Sequence, residues 1–156
     1  MKYVVLVIII ALAVIYFTKS AKNKKAAIEN IAIGKEFLAT NKMVEGILET
    51  SSGLQYQILE KGEGTVHPDA RTKVKVHYHG SLLDGTVFDS SVDRGAPISF
   101  GLNQVIKGWT EGLQLMVVGD KFKLFIPANL GYGNNSAGDI TPGSLLIFEV
   151  TLLEIQ

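Results

Sequence analysis

The chain contains 156 residues, with 15 basic and 15 acidic residues and a formal net charge of zero. Because nucleic-acid binding requires an excess of positive charge, this balance argues against nucleic acid as a partner. The absence of cysteine excludes disulfides, cysteine metal ligands and a cysteine nucleophile.

An uncharged and mostly apolar run occupies residues 3–18, between Lys2 and Lys19. As a helix it would measure about 24 Å, against about 30 Å for the hydrocarbon core of a membrane. We interpret residues 1–19 as an uncleaved single-pass anchor rather than a cleaved signal peptide, because the small-residue cleavage pattern is poor. The anchor predicts a location at the cell membrane, with the membrane as a partner through residues 3–18.

A charged linker and a connector helix are predicted in residues 20–50. The helix covers Ala26–Glu45, with Gly46 as a plausible C-terminal cap. One side of it carries Ile28, Ile31, Lys35 and Leu38. We expect this side to pack on its own domain, and favour this over pairing with a second copy in a homodimer. The lysines that follow the apolar run outnumber those before it, which favours the cytoplasmic face.

From Leu54 onwards the hydrophobic residues recur with a period of two, as they do in strands. The Asp84-Gly85 pair indicates a hairpin. A long loop extends from Pro127 to Gly143, and loops of this length are usually functional or disordered. Strands are predicted at residues 54–58, 74–78, 86–88, 97–100, 122–126 and 145–154.

One short helix is predicted within residues 103–119, where apolar residues recur every three or four positions. Gly108 and Gly112 each cost about 1 kcal/mol of helix propensity relative to alanine, so this helix must depend on packing. It contains the only tryptophan, Trp109, which is either an ordinary core residue or the floor of an apolar pocket. Hairpins around one short helix indicate an α+β class with an antiparallel β-sheet packed on the helix.

No nucleophile–base set, carboxylate pair or phosphate-binding loop is visible in the sequence. His77 and His79 share a strand face with Lys73 and Lys75, which favours a polar face over a metal site. We expect no metal and no other cofactor. The remaining candidates are aromatic and aliphatic residues that could line an apolar pocket. They are Tyr78, Phe88, Ile98, Phe100, Val105, Ile106, Trp109, Tyr132, Ile140 and Phe148.

Five motifs occur together in this chain: VHYHG, GTVFDSS, VIKGW, GYG and LIFEV, beginning at Val76, Gly85, Val105, Gly131 and Leu146. In their order and spacing the chain resembles the FKBP-type peptidyl-prolyl cis-trans isomerases over residues 52–155. Residues 52–56 and 102–106 resemble the bacterial Mip-like branch, in which an N-terminal helical region often mediates dimers. The resemblance implies an FKBP-like domain at 51–156 that accelerates rotation of X-Pro bonds in proline-containing polypeptides and assists their folding.

The resemblance adds Asp89 to the pocket and implies a role for several residues. Trp109 would lie beneath the proline ring, while the N–H of Ile106 and the hydroxyl of Tyr132 would hold substrate carbonyls. Asp89 would orient Tyr78 or polarise the twisting carbonyl, unless it only caps a turn. Tyr78, Asp89, Ile106 and Tyr132 are thus the predicted catalytic residues. The predicted substrate-binding residues are Phe88, Ile98, Phe100, Val105, Trp109, Ile140 and Phe148.

Three positions depart from the family pattern, which usually has an aromatic residue at Ile98, a proline at Thr141 and an alanine at Gly131. The resemblance implies that macrolide inhibitors bind the same pocket. We expect the three changes to alter substrate preference and macrolide affinity more than they alter activity. Exported Mip-like relatives usually act in the periplasm, in conflict with the lysine distribution. The alternative function is a membrane-tethered, non-catalytic chaperone or proline-peptide binding module that uses the same pocket.

Overall fold

The computed structural model describes the backbone of residues 2–156 and the side chains of residues 8–156. A long N-terminal helix precedes a seven-stranded antiparallel sheet, and one short helix packs on the sheet. The predicted α+β class, with an antiparallel sheet packed on one short helix, is confirmed.

Helix α1 extends without interruption from Lys2 to Asn41. The predicted hydrophobic segment and connector helix are therefore one helix, and the charged linker between them is helical. Residues 19–25 contain no glycine or proline, and lysine and alanine favour helix, so nothing breaks it there. Gly46 is not its cap, because the helix ends five residues earlier. With φ of 84°, Gly46 instead forms the turn that enters the first strand.

The predicted location at the cell membrane is wrong. The membrane anchor and transmembrane helix at residues 3–18, and the membrane partner that depended on them, are not supported by the structure. Among the residues that the structure describes, no helix is long and apolar enough to cross a membrane. Lys19 ends the apolar run after about 24 Å of helix, which is shorter than the hydrocarbon core of about 30 Å. Part of this segment, namely Met1 and the side chains of residues 2–7, lies outside the described residues.

The C-terminal half of α1 lies against the domain. Its buried and half-buried residues recur every three or four positions: Ala27, Asn30, Ile31, Gly34, Phe37, Leu38 and Asn41. The predicted packing side is partly wrong, because Ile28 is 62% exposed. Gly34 lets the helix lie close to the domain. A Cβ on Gly34 would lie 3.3 Å from the Cβ of Leu145, so any other residue would require the helix or Leu145 to shift slightly.

The strands are β1 (Ile47–Glu49), β2 (Gln55–Glu60), β3 (Lys73–Leu82), β4 (Val87–Ser90), β5 (Ile98–Gly101), β6 (Lys121–Ile126) and β7 (Leu146–Ile155). Their order in the sheet is β1-β2-β6-β7-β3-β4, and β5 also pairs with β3. All neighbours are antiparallel. Every predicted strand is present, β1 was not predicted, and β4 continues through Asp89, where a break was predicted.

Two short α-helices are also present, α2 (Ser91–Arg94) and α3 (Lys107–Gln114), together with single 3-10 turns at Leu102–Gln104 and Ala128–Leu130. The prediction of a short central helix is confirmed by α3. Its glycines permit close contact with β6, because a Cβ on Gly108 would lie 2.6 Å from Cγ2 of Ile126. A Cβ on Gly112 would similarly lie 2.9 Å from Cδ1 of Leu124. Val105 and Ile106, which were predicted on the helix, precede it.

Candidate active site

A cavity of about 600 Å³ opens between the sheet, the start of α3 and the loop after β6. All eleven pocket residues expected from the sequence lie around it, and Gln104 and Ala137 join them. The lining is Tyr78, Phe88, Asp89, Ile98, Phe100, Gln104, Val105, Ile106, Trp109, Tyr132, Ala137, Ile140 and Phe148.

Trp109 forms the floor of this pocket, and its side chain is only 5% exposed. The centroid of its ring lies 5.1 Å from that of Tyr78 and 5.1 Å from that of Phe148, both nearly perpendicular to it. The Phe100 ring lies 5.2 Å away. Edge-to-face contacts at these distances are favourable for aromatic rings. The indole Nε1 is buried and has no hydrogen-bond partner among the described residues, so Trp109 contributes an apolar surface rather than a donor.

Gly80 in β3 makes room for two of the aromatic rings. A Cβ at this position would lie 2.7 Å from Cε1 of Phe148 and 2.7 Å from Cε2 of Phe88. Those rings meet edge to face at 5.3 Å. The glycine that ends the VHYHG motif therefore lets the rings of Phe88 and Phe148 cross over the backbone of β3.

A polar network forms one wall of the pocket. The Tyr78 hydroxyl donates to Oδ2 of Asp89, and Nη1 of Arg94 donates to Oδ1 of the same carboxylate. Nη2 of Arg94 also donates to the Tyr78 hydroxyl at 3.0 Å, and the guanidinium carbon lies 5.8 Å from the centre of the Tyr78 ring. The three side chains therefore hold one another in place at the edge of an apolar cavity.

The network shifts the pKa values of Tyr78 and Asp89 further from neutral pH. Burial raises the pKa of the Tyr78 hydroxyl, and its hydrogen bond to Asp89 raises it further. Partial burial alone would raise the pKa of the Asp89 carboxyl, but the hydrogen bonds from Tyr78 and Arg94 outweigh it and lower that pKa. At neutral pH Tyr78 is therefore a neutral donor and Asp89 a carboxylate.

Arg94 was missed by the sequence analysis, although a local signal for its position exists. Ser90 caps α2 by accepting a hydrogen bond from the N–H of Asp93 at 3.1 Å. Gly95 ends the helix with φ of 68°. A serine, a carboxylate three residues later and a glycine are the start and stop signals of a helix. They predict one helical turn that places Arg94 near Asp89.

The two histidines lie beside the pocket network without lining the cavity. Nδ1 of His77 is 2.9 Å from the hydroxyl of Ser91, and Nδ1 of His79 is 2.9 Å from the hydroxyl of Ser90. Both histidines lie on the polar face, as predicted, and are partly buried, because the turn at α2 brings these serines against β3.

The residues expected to bind substrate carbonyls lie at the pocket opening. Tyr132 is 41% exposed. Ile106 immediately precedes α3, and its carbonyl accepts the hydrogen bonds from Trp109 and Thr110 that start this helix. Its own N–H comes before the first helical position and is not used by the hydrogen bonds of the helix.

Comparison with known proteins identifies the family. A family model for the FKBP-type peptidyl-prolyl cis-trans isomerase matches residues 64–153, and a model for the domain amino-terminal to this isomerase matches residues 10–58. The chain belongs to the FKBP-type peptidyl-prolyl cis-trans isomerases. The amino-terminal match also covers most of α1, the segment predicted to be an anchor, a linker and a connector helix.

Two bacterial relatives match most of the chain. FkpA of Aeromonas hydrophila, an FKBP-type isomerase, is 56% identical over 136 residues, which are 87% of this chain and 50% of the relative. The outer membrane protein MIP of Legionella longbeachae is 46% identical over 139 residues, 88% of this chain and 59% of the relative. The chain therefore spans about half the length of the curated relatives it matches, and the predicted likeness to Mip proteins is confirmed.

A solved structure confirms the FKBP-like fold. The crystal structure of FkpA from Escherichia coli superimposes with a TM-score of 0.89 at 41% sequence identity, covering 96% of this chain and 70% of that chain. The agreement includes the N-terminal helix, because the alignment covers nearly the whole chain.

Proposed function

We propose that this chain is an active peptidyl-prolyl cis-trans isomerase that accelerates rotation of X-Pro bonds in polypeptides and so assists protein folding. The observation that carries the proposal is the aromatic cavity, in which Asp89 is the one charged lining residue within the described chain. Such a cavity suits an apolar ring flanked by peptide groups. Among the described lining residues there is no serine, threonine, cysteine, lysine or histidine, which are the usual nucleophiles and bases of hydrolysis and group transfer.

The chemistry requires no proton transfer. Rotation about a peptide bond has a barrier of about 18–20 kcal/mol, because the nitrogen lone pair is delocalised into the carbonyl. For X-Pro bonds this makes exchange take tens to hundreds of seconds. A pocket with little water disfavours the planar, charge-separated amide relative to a twisted amide with less charge separation. The apolar walls therefore lower the barrier to rotation by destabilising the planar ground state of the bound amide.

Each predicted site residue has a proposed role in this mechanism. The proline ring lies on Trp109, with Phe88, Ile98, Phe100, Val105, Ile140 and Phe148 around it. The N–H of Ile106 and the hydroxyl of Tyr132 hold the carbonyls on either side of the twisting bond. Asp89, fixed by Tyr78 and Arg94, faces the carbonyl that rotates. Macrolides of the kind that bind this family would occupy the same pocket, so we propose them as inhibitors.

We also propose a division of the chain into two parts. Residues 51–156 form the isomerase domain, and residues 1–19 and 20–50 together form an amino-terminal arm, which contains α1 and β1. Two separate family matches support a division of the chain into two parts, although the amino-terminal match ends at residue 58 and the isomerase match begins at residue 64. The preference for packing of the helix on its own domain over pairing in a homodimer stays a prediction, which sedimentation of the full chain would check.

A protease-independent isomerisation assay tests the proposed function against a non-catalytic binding module. We expect wild-type protein to accelerate cis–trans exchange of a proline tetrapeptide measured by NMR. Asp89→Ala and Phe88→Ala should each reduce kcat/KM by roughly tenfold or more, since each removes a contact with the bound prolyl group or its carbonyl. Both variants should remain folded.

Two neighbouring residues provide matched controls. Asp84 lies in the β3–β4 turn and does not line the cavity, and Val87 precedes Phe88 with its side chain exposed. Asp84→Ala and Val87→Ala should keep wild-type rates. Wild-type protein that binds the peptide without accelerating exchange would establish the binding module instead.

A further inference from the structure

A turn at residues 137–144, here called the pocket turn, forms the wall of the cavity nearest α1. Its side chains Ala137 and Ile140 line the cavity, and Ile140 is only 5% exposed. The backbone closes the turn through two hydrogen bonds. The N–H of Ala137 donates to the carbonyl of Ile140 at 3.0 Å, and the N–H of Ile140 donates to the carbonyl of Ala137 at 2.9 Å. The position of Ile140 thus depends on where this turn is held.

Helix α1 holds the pocket turn from outside the cavity. Nδ2 of Asn30 donates to the carbonyl of Pro142 at 2.8 Å and to the hydroxyl of Thr141 at 3.1 Å. These acceptors belong to the two residues that directly follow Ile140. One side chain of the arm therefore uses both of its amide hydrogens on the wall of the pocket.

The surrounding contacts leave little room for the turn to move. A Cβ on Gly143 would lie 2.8 Å from the Cα of Ala27, and Gly143 has φ of 75°, a conformation that favours glycine. The Thr141 hydroxyl also lies 2.8 Å from that of Ser144, whose hydroxyl donates to the Thr141 carbonyl at 2.7 Å. The pocket turn is thus confined between α1 on one side and the cavity on the other.

We propose that Asn30 is a positioning residue for the prolyl pocket, which fixes Ile140 through the pocket turn and thereby sets affinity for proline peptides. The inference rests on the proposed function. A turn released from Asn30 would populate more conformations, and ordering it when peptide binds would reduce affinity. Because Asn30 reaches no reacting atom, its removal should raise KM and leave kcat nearly unchanged.

Asn41 provides a matched comparison within the same helix. Its Nδ2 donates to Oε1 of Gln55 in β2 at 2.8 Å, so it also joins α1 to the domain by an asparagine side chain. Neither Asn41 nor Gln55 lines the cavity. Replacing Asn41 should weaken the attachment of the helix without altering the pocket turn.

The test compares Asn30→Ala and Asn41→Ala in the full chain. Trp109 is the only tryptophan and forms the pocket floor, so its fluorescence reports binding of a proline tetrapeptide. NMR exchange on the same samples separates kcat from KM. Asn30→Ala should raise Kd and KM by about fivefold with kcat within about twofold of wild type, as expected for the loss of one neutral hydrogen-bonding side chain. Asn41→Ala should lower the denaturation midpoint while leaving Kd within about twofold.

Thr141→Val changes the acceptor of one Asn30 hydrogen bond instead of the donor. It preserves the shape of the side chain, removes the hydroxyl acceptor and keeps the bond to Pro142, so Kd should rise by a smaller factor of about two to three. Wild-type affinity in both Asn30→Ala and Thr141→Val would overturn the proposal, as would an equal loss in Asn41→Ala. A wild-type protein that binds peptide without turnover would refute the proposed catalysis alone, because fluorescence still measures the role of Asn30.

Discussion

The floor of the pocket, made of Tyr78, Trp109 and Phe148, differs from its rim, which includes Asp89 and Tyr132. Each floor side chain is 5% exposed and belongs to the hydrophobic core. At the rim the side chains of Asp89 and Tyr132 are about two-fifths exposed. Substitutions at the floor therefore change folding and function together, whereas substitutions at the rim report on function almost alone.

The largest effect is expected from Trp109→Ala. Removing a buried indole should lower the free energy of unfolding by about 3–5 kcal/mol, through lost burial and the cavity left behind. Isomerisation should fall by roughly 100-fold, because the proline ring loses its main contact. Urea denaturation followed by far-UV circular dichroism measures the first effect, since the variant has no tryptophan.

Trp109→Phe is the matched control for this floor position. The indole N–H has no partner among the described residues, so the phenyl variant loses only volume. It should lose less than half of the stability that Trp109→Ala loses. A loss as large as that of alanine would contradict the view of Trp109 as a purely apolar surface.

Gly80→Ala should have the next largest effect, because it adds a methyl group without removing any contact. The new Cβ would overlap the rings of Phe88 and Phe148, and overpacking of a core typically costs about 1–3 kcal/mol. Thermal unfolding measures the stability of the variant, and peptide titration measures its affinity for a proline peptide. Unchanged stability together with unchanged affinity would show that the two rings can move aside freely.

Tyr132→Phe should separate function from folding at the rim. The hydroxyl proposed to bind a substrate carbonyl is removed from an exposed side chain. We expect kcat/KM to fall by about fivefold, with the free energy of unfolding within about 0.5 kcal/mol of wild type. If activity is unchanged, the hydroxyl of Tyr132 does not hold the substrate.

The smallest effect is expected from pH. The pKa of Asp89 is lowered from its ordinary value of 3.8 and that of Tyr78 is raised from its ordinary value of 10.0, so Asp89 stays ionised and Tyr78 stays protonated around neutral pH. The stability contributed by ionised Asp89 is lost only as pH falls through its lowered pKa. We expect kcat/KM to vary by less than about twofold between pH 5 and 9. A larger change within this range would show that a group other than Asp89 or Tyr78 controls the activity.

Much of this architecture could be predicted from local sequence patterns. The alternation in β3 and β7 gave the strands and their buried faces, and the apolar residues around Trp109 gave the short helix. The pocket was more difficult, because its residues come from distant segments. Their assembly was expected through the family resemblance rather than through periodicity.

The errors arose where tertiary contacts override local composition. Gln55 is a polar residue within the alternating pattern that begins at Leu54, yet it is fully buried. Its amide donates to the Leu38 carbonyl at 2.8 Å and to Oε2 of Glu49 at 2.7 Å, and its oxygen accepts from Asn41. Sequence patterns do not reveal that α1 covers this face. The charged stretch in α1 was likewise taken for a linker, although nothing in it stops a helix.

The cover that α1 provides has a practical consequence for domain truncation. Phe125 and Leu145 are almost fully buried; Phe125 meets Phe37 across a ring separation of 5.8 Å, and Leu145 lies against Gly34. Removing the residues before 51 would expose these two side chains to solvent. The resulting hydrophobic patch would promote self-association. Aggregation of such a fragment would then reflect the loss of α1, and not a low intrinsic stability of the catalytic domain.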